Sequence, residues 1–344
     1  MTGRRPKNGL REVAQLAGVS LATASRALSQ PDRVSENVRK RIEEVCRQID
    51  YVPNHTARGL SLKRSQMLGL IVPTTSNPLF APTIDGVRMV LDEHGYNMVI
   101  DSAERDHVRE LEMVRNLVAH GVDAIVTIMP THLPELFDFV RKMNVPLVSA
   151  HHFSPGKSVP TVGYDNVAAI TEMTDHILSL GHHRIAIFSG PGHTTPVIAE
   201  RLEVIQARLA AAGLPPRPDW VIECDYEVAQ MRRAARALIA PDDRPTAIIC
   251  TGDQHAVSTL VEAQLLGLPV PEKLSVTGCN DVAIAELCNP QLTTQRLPYL
   301  ELGQAACRLA LDMLAGRDVP ERTLLPHRMI IRGSTAAPTK GLSS

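Results

Sequence analysis

Two histidine pairs, His151-His152 and His182-His183, are the first residues in the chain that could hold a metal or move a proton. Adjacent positions do not suit a helical metal site, whose ligands stand four apart on one face. On a strand, neighbours point to opposite sides, so at most one of each pair meets a ligand. No HExxH or CxxC accompanies them, and His182 reads as a structural histidine. The six cysteines (Cys46, Cys224, Cys250, Cys279, Cys288, Cys307) are scattered, as expected of small buried thiols in a reducing compartment. There is no Walker loop and no GxSxG elbow, and Gly190-Pro-Gly192 is too short for a dinucleotide loop. The expectation is no metal, no cofactor and no catalysis.

Charge is more informative. The formal net charge is −1, but residues 1–64 carry 13 Lys/Arg against 6 Asp/Glu, a surplus of seven. The other 280 residues carry 23 against 31, a deficit of eight. A basic head on an acidic body is the electrostatic footprint of a phosphate-binding module; on charge alone, an ordinary solvated surface is the alternative. No run of ~18 apolar residues is present to span a membrane. The start, MTGRRPKNGLREVAQ, lacks the apolar stretch of a signal peptide, so none is expected.

Helical spacing organises the head. Leu10–Ala17 puts Val13, Ala14 and Ala17 on one face, and Gly18-Val19 turns the chain. Ser20 can cap a helix over Leu21–Ser29 with Ala24, Ala27 and Leu28 inward. Pro31-Asp32 breaks it, and Ser35 can cap a third helix to about Ile49, with Val38, Ile42 and Val45 inward. Two short helices joined through a glycine turn, with a third as support, form a helix-turn-helix. The stretch His55–Lys63 allows barely two turns, with Gly59 in its middle. Isolated helices below ~12–15 residues are marginal, so this segment is predicted to order only when held by something else.

From Met67 the pattern alternates apolar strand-like runs with helical segments. The runs are Leu68–Val72, Asn97–Ile100, Ala124–Ile128, Pro146–Ser149, Arg184–Phe188, Trp220–Glu223, Ala247–Cys250 and Ser275–Gly278, with a last one at Arg328–Arg332. Helical segments end near Gly95, Gly121, Gly181, Gly213 and Gly267. Repeated βα alternation predicts parallel sheets covered on both faces, in two lobes of four or five strands, with a ligand cleft beyond the strand ends.

The run Leu10-Arg-Glu-Val-Ala-Gln-Leu-Ala-Gly-Val-Ser-Leu-Ala-Thr-Ala-Ser-Arg-Ala-Leu-Ser29 resembles the N-terminus of the lac-repressor (LacI/GalR) family. Tyr51-Val-Pro-Asn54 with Ala57-Arg-Gly-Leu60 looks like that family's hinge. Leu68-Gly-Leu-Ile-Val-Pro73 with Asn77-Pro-Leu-Phe-Ala81 resembles the start of its effector domain, and matches continue through Gly121-Val-Asp123, Leu180-Gly-His182, Arg184-Ile-Ala186, Gly190-Pro191, Arg201-Leu202, Gly252-Asp253 and Leu292-Thr-Thr294. The resemblance spans nearly the whole chain. It implies an all-α helix-turn-helix head over 1–50, a hinge helix over 51–64 and a periplasmic-binding-protein-like α/β effector domain over 65–344. The lobes would be about 65–165 with 297–325, and 166–296 with 326–336.

It also implies site residues. In this family the second helix enters the major groove, and Leu21, Ala22 and Arg26 fall where side chains read bases. Arg26 suits a bidentate guanine contact, worth ~1–3 kcal/mol of discrimination, with a plain phosphate clamp as the alternative. Leu21 and Ala22 offer apolar contact, though Leu21 could be ordinary helix surface. Ser20, Thr23 and Ser25 are sized for phosphates. Leu60 aligns with a minor-groove wedge and, without the likeness, would read equally as core; Asn54, His55, Ala57 and Arg58 would support the hinge. Effector contacts are implied at Asn77, Leu79, Phe80, His151, Arg201, Tyr226, Asp253 and Asn280, although Asp253 could instead be a helix-capping aspartate.

Departures bear on the ligand. The chain has Gly278-Cys-Asn-Asp281 where many relatives carry a further aspartate at the third position, and His151 where an aspartate is common. The 190–201 loop is one residue longer than usual. A pocket with fewer carboxylates beside Arg201 predicts an anionic effector, a sugar acid or phosphorylated sugar. The expected protein is a cytoplasmic, nucleoid-associated homodimeric regulator, most simply a repressor, on pseudo-palindromic operator DNA, with no added tetramer module. A doubly wound enzyme and a free-standing sugar-binding protein are the alternatives, and a gel shift with residues 1–64 deleted separates all three.

Overall fold

The computed structural model describes residues 9–29, 33–52, 64–152 and 159–339. Contacts divide the chain into two compact units, residues 1–67 and 68–344.

In the first unit, three helices form: α1 (Leu10–Leu16), α2 (Leu21–Ser29) and α3 (Glu36–Gln48). Gly18, at φ +61, takes the left-handed conformation that ends α1 without a side-chain clash. Ser20 Oγ accepts the Thr23 backbone N–H at 3.1 Å and pairs with Thr23 Oγ1 at 2.8 Å, so the expected cap of α2 is made. Ser35 stands at the N-cap of α3, but its hydroxyl makes no capping bond. Val13, Ala17, Ala27, Ile42 and Val45 form the core of this unit. Its alanines let α1 and α2 pack closely, which suits so small a unit.

The second unit alternates β1 (Met67–Val72), α4 (Ala81–His94), β2 (Asn97–Ser102), α5 (His107–Ala119), β3 (Ala124–Thr127), α6 (Pro134–Met143), β4 (Leu147–His152) and β5 (Thr161–Tyr164). It continues through α7 (Asn166–Ser179), β6 (Ile185–Ser189), α8 (Pro196–Ala211), β7 (Val221–Glu223), α9 (Val228–Ile239), β8 (Ala247–Cys250), α10 (Asp253–Leu265), β9 (Ser275–Asn280), α11 (Ile284–Leu287) and β10 (Thr293–Arg296). Last come α12 (Tyr299–Leu314), β11 (Arg322–Leu324) and β12 (Arg328–Ile330). The strands make two six-stranded sheets with one order used twice, β2-β1-β3-β4-β5-β11 and β7-β6-β8-β9-β10-β12.

Two expectations need correction. Each sheet has six strands rather than four or five, because β5, β10 and β11 join. The sheets are parallel in their centres, but the edge strand β12 runs antiparallel to β10, with Thr294 opposite Ile330. Central strands such as β3 and β8 are buried throughout, as their unbroken apolar runs require when helices cover both faces. The chain leaves the first sheet after β5, returns after β10 and crosses again between β11 and β12. In each sheet the strand order reverses beside its first strand, β1 or β6, the switch point at which such sheets open a crevice.

Candidate functional site

A cleft of about 980 Å³, open mouth included, lies beyond the C-terminal ends of both sets of strands. All eight expected effector residues line it: Asn77, Leu79, Phe80, His151, Arg201, Tyr226, Asp253 and Asn280. They arrive from separate elements. Asn77 caps the short turn Pro78–Phe80 after β1, its Oδ1 accepting the Leu79 N–H at 3.0 Å, which leaves its amide nitrogen for the cleft. His151 stands one residue before the end of β4, beside Gly163, and Asn280 ends β9.

Arg201, on α8, is 2% exposed and carries the densest polar network in the site. Its Nε donates to Asn166 Oδ1 at 2.9 Å. One terminal nitrogen donates to the Thr251 carbonyl at 2.8 Å and Asn280 Oδ1 at 3.2 Å, and the other reaches the Tyr164 hydroxyl at 3.3 Å. Every acceptor is neutral, so no described carboxylate pairs with this buried cation. Asn280 holds φ +116 and also accepts from the Tyr299 hydroxyl at 3.1 Å. Burial raises the hydroxyls of Tyr164, Tyr226 and Tyr299 above the usual range, so all three are neutral donors.

Asp253 opens α10 without capping it. Its two oxygens instead take the Thr294 hydroxyl at 2.6 Å and the Val282 N–H at 2.8 Å. A Cβ on Gly278 would sit 2.3 Å from its Oδ1, so the glycine makes room for the carboxylate. Burial pushes this acid up to about 6. A Cβ on Gly190 would lie 2.5 Å from the Tyr226 hydroxyl, so a second glycine seats that ring in the same way.

The cleft also holds residues that sequence reasoning missed, chiefly Arg105, His107, Thr131, Tyr164, Gln254 and Tyr299. Behind it, Glu110 is sealed on α5. It accepts from Thr127 Oγ1 at 2.6 Å and faces His132 Nδ1 at 3.0 Å, while His132 Nε2 lies 3.3 Å from Ser149 Oγ. The order Ser–His–Glu looks catalytic, but Ser149 and Glu110 are fully buried, so no substrate reaches them. His182 is structural, tied to Thr246 Oγ1, Ser275 Oγ and the Ala336 carbonyl.

On the head, α2 exposes Leu21, Ala22, Ser25 and Arg26, with Ser20 at its start and Thr23 half-buried. Glu36, Glu43 and Glu44 are spent on Lys40, Arg39 and Arg47 along α3. Arg11, Arg26, Arg33 and Arg41 are exposed and make no described ion pair. Asn54, His55, Ala57, Arg58 and Leu60 lie outside the described residues.

Comparison with known proteins identifies the class. Residues 9–54 match the family described as bacterial regulatory proteins, lacI family, and residues 174–335 match the periplasmic binding protein-like domain. The transcriptional repressor CytR of Escherichia coli K12 is 31% identical over 95% of this chain and 96% of its own length. Catabolite control protein A of Priestia megaterium is 29% identical over 94% and 98%. Among solved structures, a complex of the transcriptional regulator CelR with cellobiose aligns with a TM-score of 0.68 at 26% identity, covering 96% of this chain and 100% of that one. A lac repressor dimer bound to operator and an anti-inducer aligns at 0.83 and 24% identity, covering 96% and 99%. The chain belongs to the LacI family of transcriptional regulators, which are not enzymes.

Proposed function

We propose that this chain is a homodimeric repressor, cytoplasmic and nucleoid-associated, in which each head reads half of a pseudo-palindromic operator and a sugar-related anion in the cleft sets DNA affinity. What carries this reading is one chain that pairs a lacI-type head over residues 9–54 with a body whose cleft collects all eight expected effector residues. Two-fold symmetry of a dimer maps onto two-fold symmetry of the site. Arg26 serves as the polar base reader, Leu21 and Ala22 as apolar contacts, and Ser20, Thr23 and Ser25 as phosphate contacts. Residues 51–64 act as the hinge, with Leu60 as the wedge and Asn54, His55, Ala57 and Arg58 around it. The cellobiose carried by the CelR neighbour supports a saccharide-like ligand, and the lining, two guanidiniums against one carboxylate, supports a negative charge on it.

The effector acts by binding the two lobe arrangements unequally, which shifts DNA affinity by the same free energy. Leu60→Ala is expected to weaken operator binding strongly in a gel shift and to leave ligand affinity intact. Equal loss of both would move Leu60 into the effector-domain core. Deleting residues 1–64 is expected to abolish the shift while ligand binding survives.

A further inference from the structure

We infer that Arg105, rather than Arg201, recognises the anionic group of the effector, and that this group is a carboxylate on a hydroxylated ring or chain. The inference rests on reading the cleft as the effector site. Arg201 has handed its donors to Asn166, Thr251, Asn280 and Tyr164, so its fork is largely closed to a ligand. Arg105 lines the same cleft, is exposed, and its guanidinium has no hydrogen bond or ion pair among the described residues.

Its backbone is held at some cost. Glu104 and Arg105 both lie in the left-handed region, at φ 50 and 61, with no glycine or asparagine to ease the turn. Each such residue costs roughly 1 kcal/mol or more and persists only where its surroundings over-determine it. Here the Ala103 N–H donates to the Val72 carbonyl at 3.0 Å, the Arg105 N–H to the Pro73 carbonyl at 3.0 Å, and Asp106 caps α5. The turn therefore presents Arg105 from the end of β2. The field of Arg105 also reaches Tyr226 on the other lobe, where it and Arg201 oppose the effect of burial on that hydroxyl.

A second vacancy adjoins it. His107 lines the cleft, its Nε2 lies 3.0 Å from Thr131 Oγ1, and its solvent-shielded Nδ1 has no partner; with Nε2 accepting the threonine hydroxyl, Nδ1 carries the ring's N–H. One guanidinium fork and one imidazole N–H make three donors, which the two oxygens of a carboxylate can accept together. A phosphate monoester, with three oxygens and a charge of about −1.5 to −2, would be left short of donors. Asn77 and Gln254 remain for hydroxyls, and Phe80 and Tyr226 for apolar faces. A ligand whose carboxylate sits on Arg105 and whose body meets Tyr226 bridges the lobes.

The test is calorimetric titration of the full-length protein with a panel of aldonic and uronic acids, the matching neutral sugars and the matching sugar phosphates. At least one acid is expected to bind, with its neutral counterpart at least ~10-fold weaker. Arg105→Gln is expected to weaken that acid by about 10–100-fold and Arg105→Lys to recover part of the loss, with ligand-free melting unchanged in both. Absence of acid binding, preference for a phosphate or neutral sugar, or undiminished acid affinity in Arg105→Gln overturns the assignment. Operator binding by the unsubstituted chain is measured separately. Its failure beside Arg105-dependent acid binding would sink the regulator reading and leave this one standing.

Discussion

Arg201 is a buried cation held by four neutral acceptors, and its geometry matters as much as its charge. Lysine keeps the charge but not the planar fork. Arg201→Lys is therefore expected to lower stability by about 2–3 kcal/mol, read as a shift in the urea midpoint, because Asn166 and Tyr164 lose a buried partner. Acidity has a definite sign as well. Burial pushes His255 down to about 4 and also lowers His176 and His182, so the unfolded chain takes up protons that the fold excludes. Their contributions are present above the ordinary histidine range and lost as pH falls through it towards 4. Asp253, raised to about 6, works the other way, because its buried form favours the proton as pH drops below that value. Three histidines against one aspartate give lower stability at pH 5 than at pH 7, and His255→Phe is expected to flatten that slope by about one proton in denaturation series across the range. The positions of Arg201, Asp253 and Asn280 were legible from ordered motifs, but their partners were not. Arg201's acceptors stand 35 to 79 residues away, and only the folded crossings bring them together. Arg105 was invisible because nothing in Ala-Glu-Arg-Asp announces two left-handed residues in a row.

At the scale of elements, α4 and α12 show how small residues set the architecture of the first lobe. A Cβ on Gly86 would lie 2.1 Å from the Leu300 carbonyl oxygen, and one on Gly303 would lie 2.0 Å from that of Thr83. The two helices thus touch backbone to backbone, and Gly303→Ala is expected to cost more than about 3 kcal/mol in a denaturant midpoint. A loss below about 1 kcal/mol would mean that the helices can part cheaply. The helix ends were readable because Gly95, Gly121, Gly181, Gly213 and Gly267 all adopt positive φ. Missed strands were those whose composition resembles loops. β10 is Thr-Thr-Gln-Arg, and its first three residues are fully buried between β9 and the antiparallel β12, so tertiary pairing overrides its polarity. β5 and β11 are only four and three residues long, and β11 finds its partner, β5, far back in the sequence.

For the whole molecule, the surplus of seven positive charges over residues 1–64 and the deficit of eight over the rest divide the chain into a part suited to phosphates and a part that repels them. The doubled strand order gives the body two similar lobes, joined at three crossings and opening on one cleft. Fold class was therefore legible early, since charge segregation, helical spacing and βα alternation all agreed. The most direct test is to select DNA from a random pool with the full-length protein and to measure affinity for the selected sequence with and without a saturating ligand found by the calorimetric panel. A two-fold symmetric sequence whose Kd moves at least ~5-fold on ligand addition is the expected result. Enrichment of no sequence, or a Kd that the ligand leaves unchanged, would contradict the account.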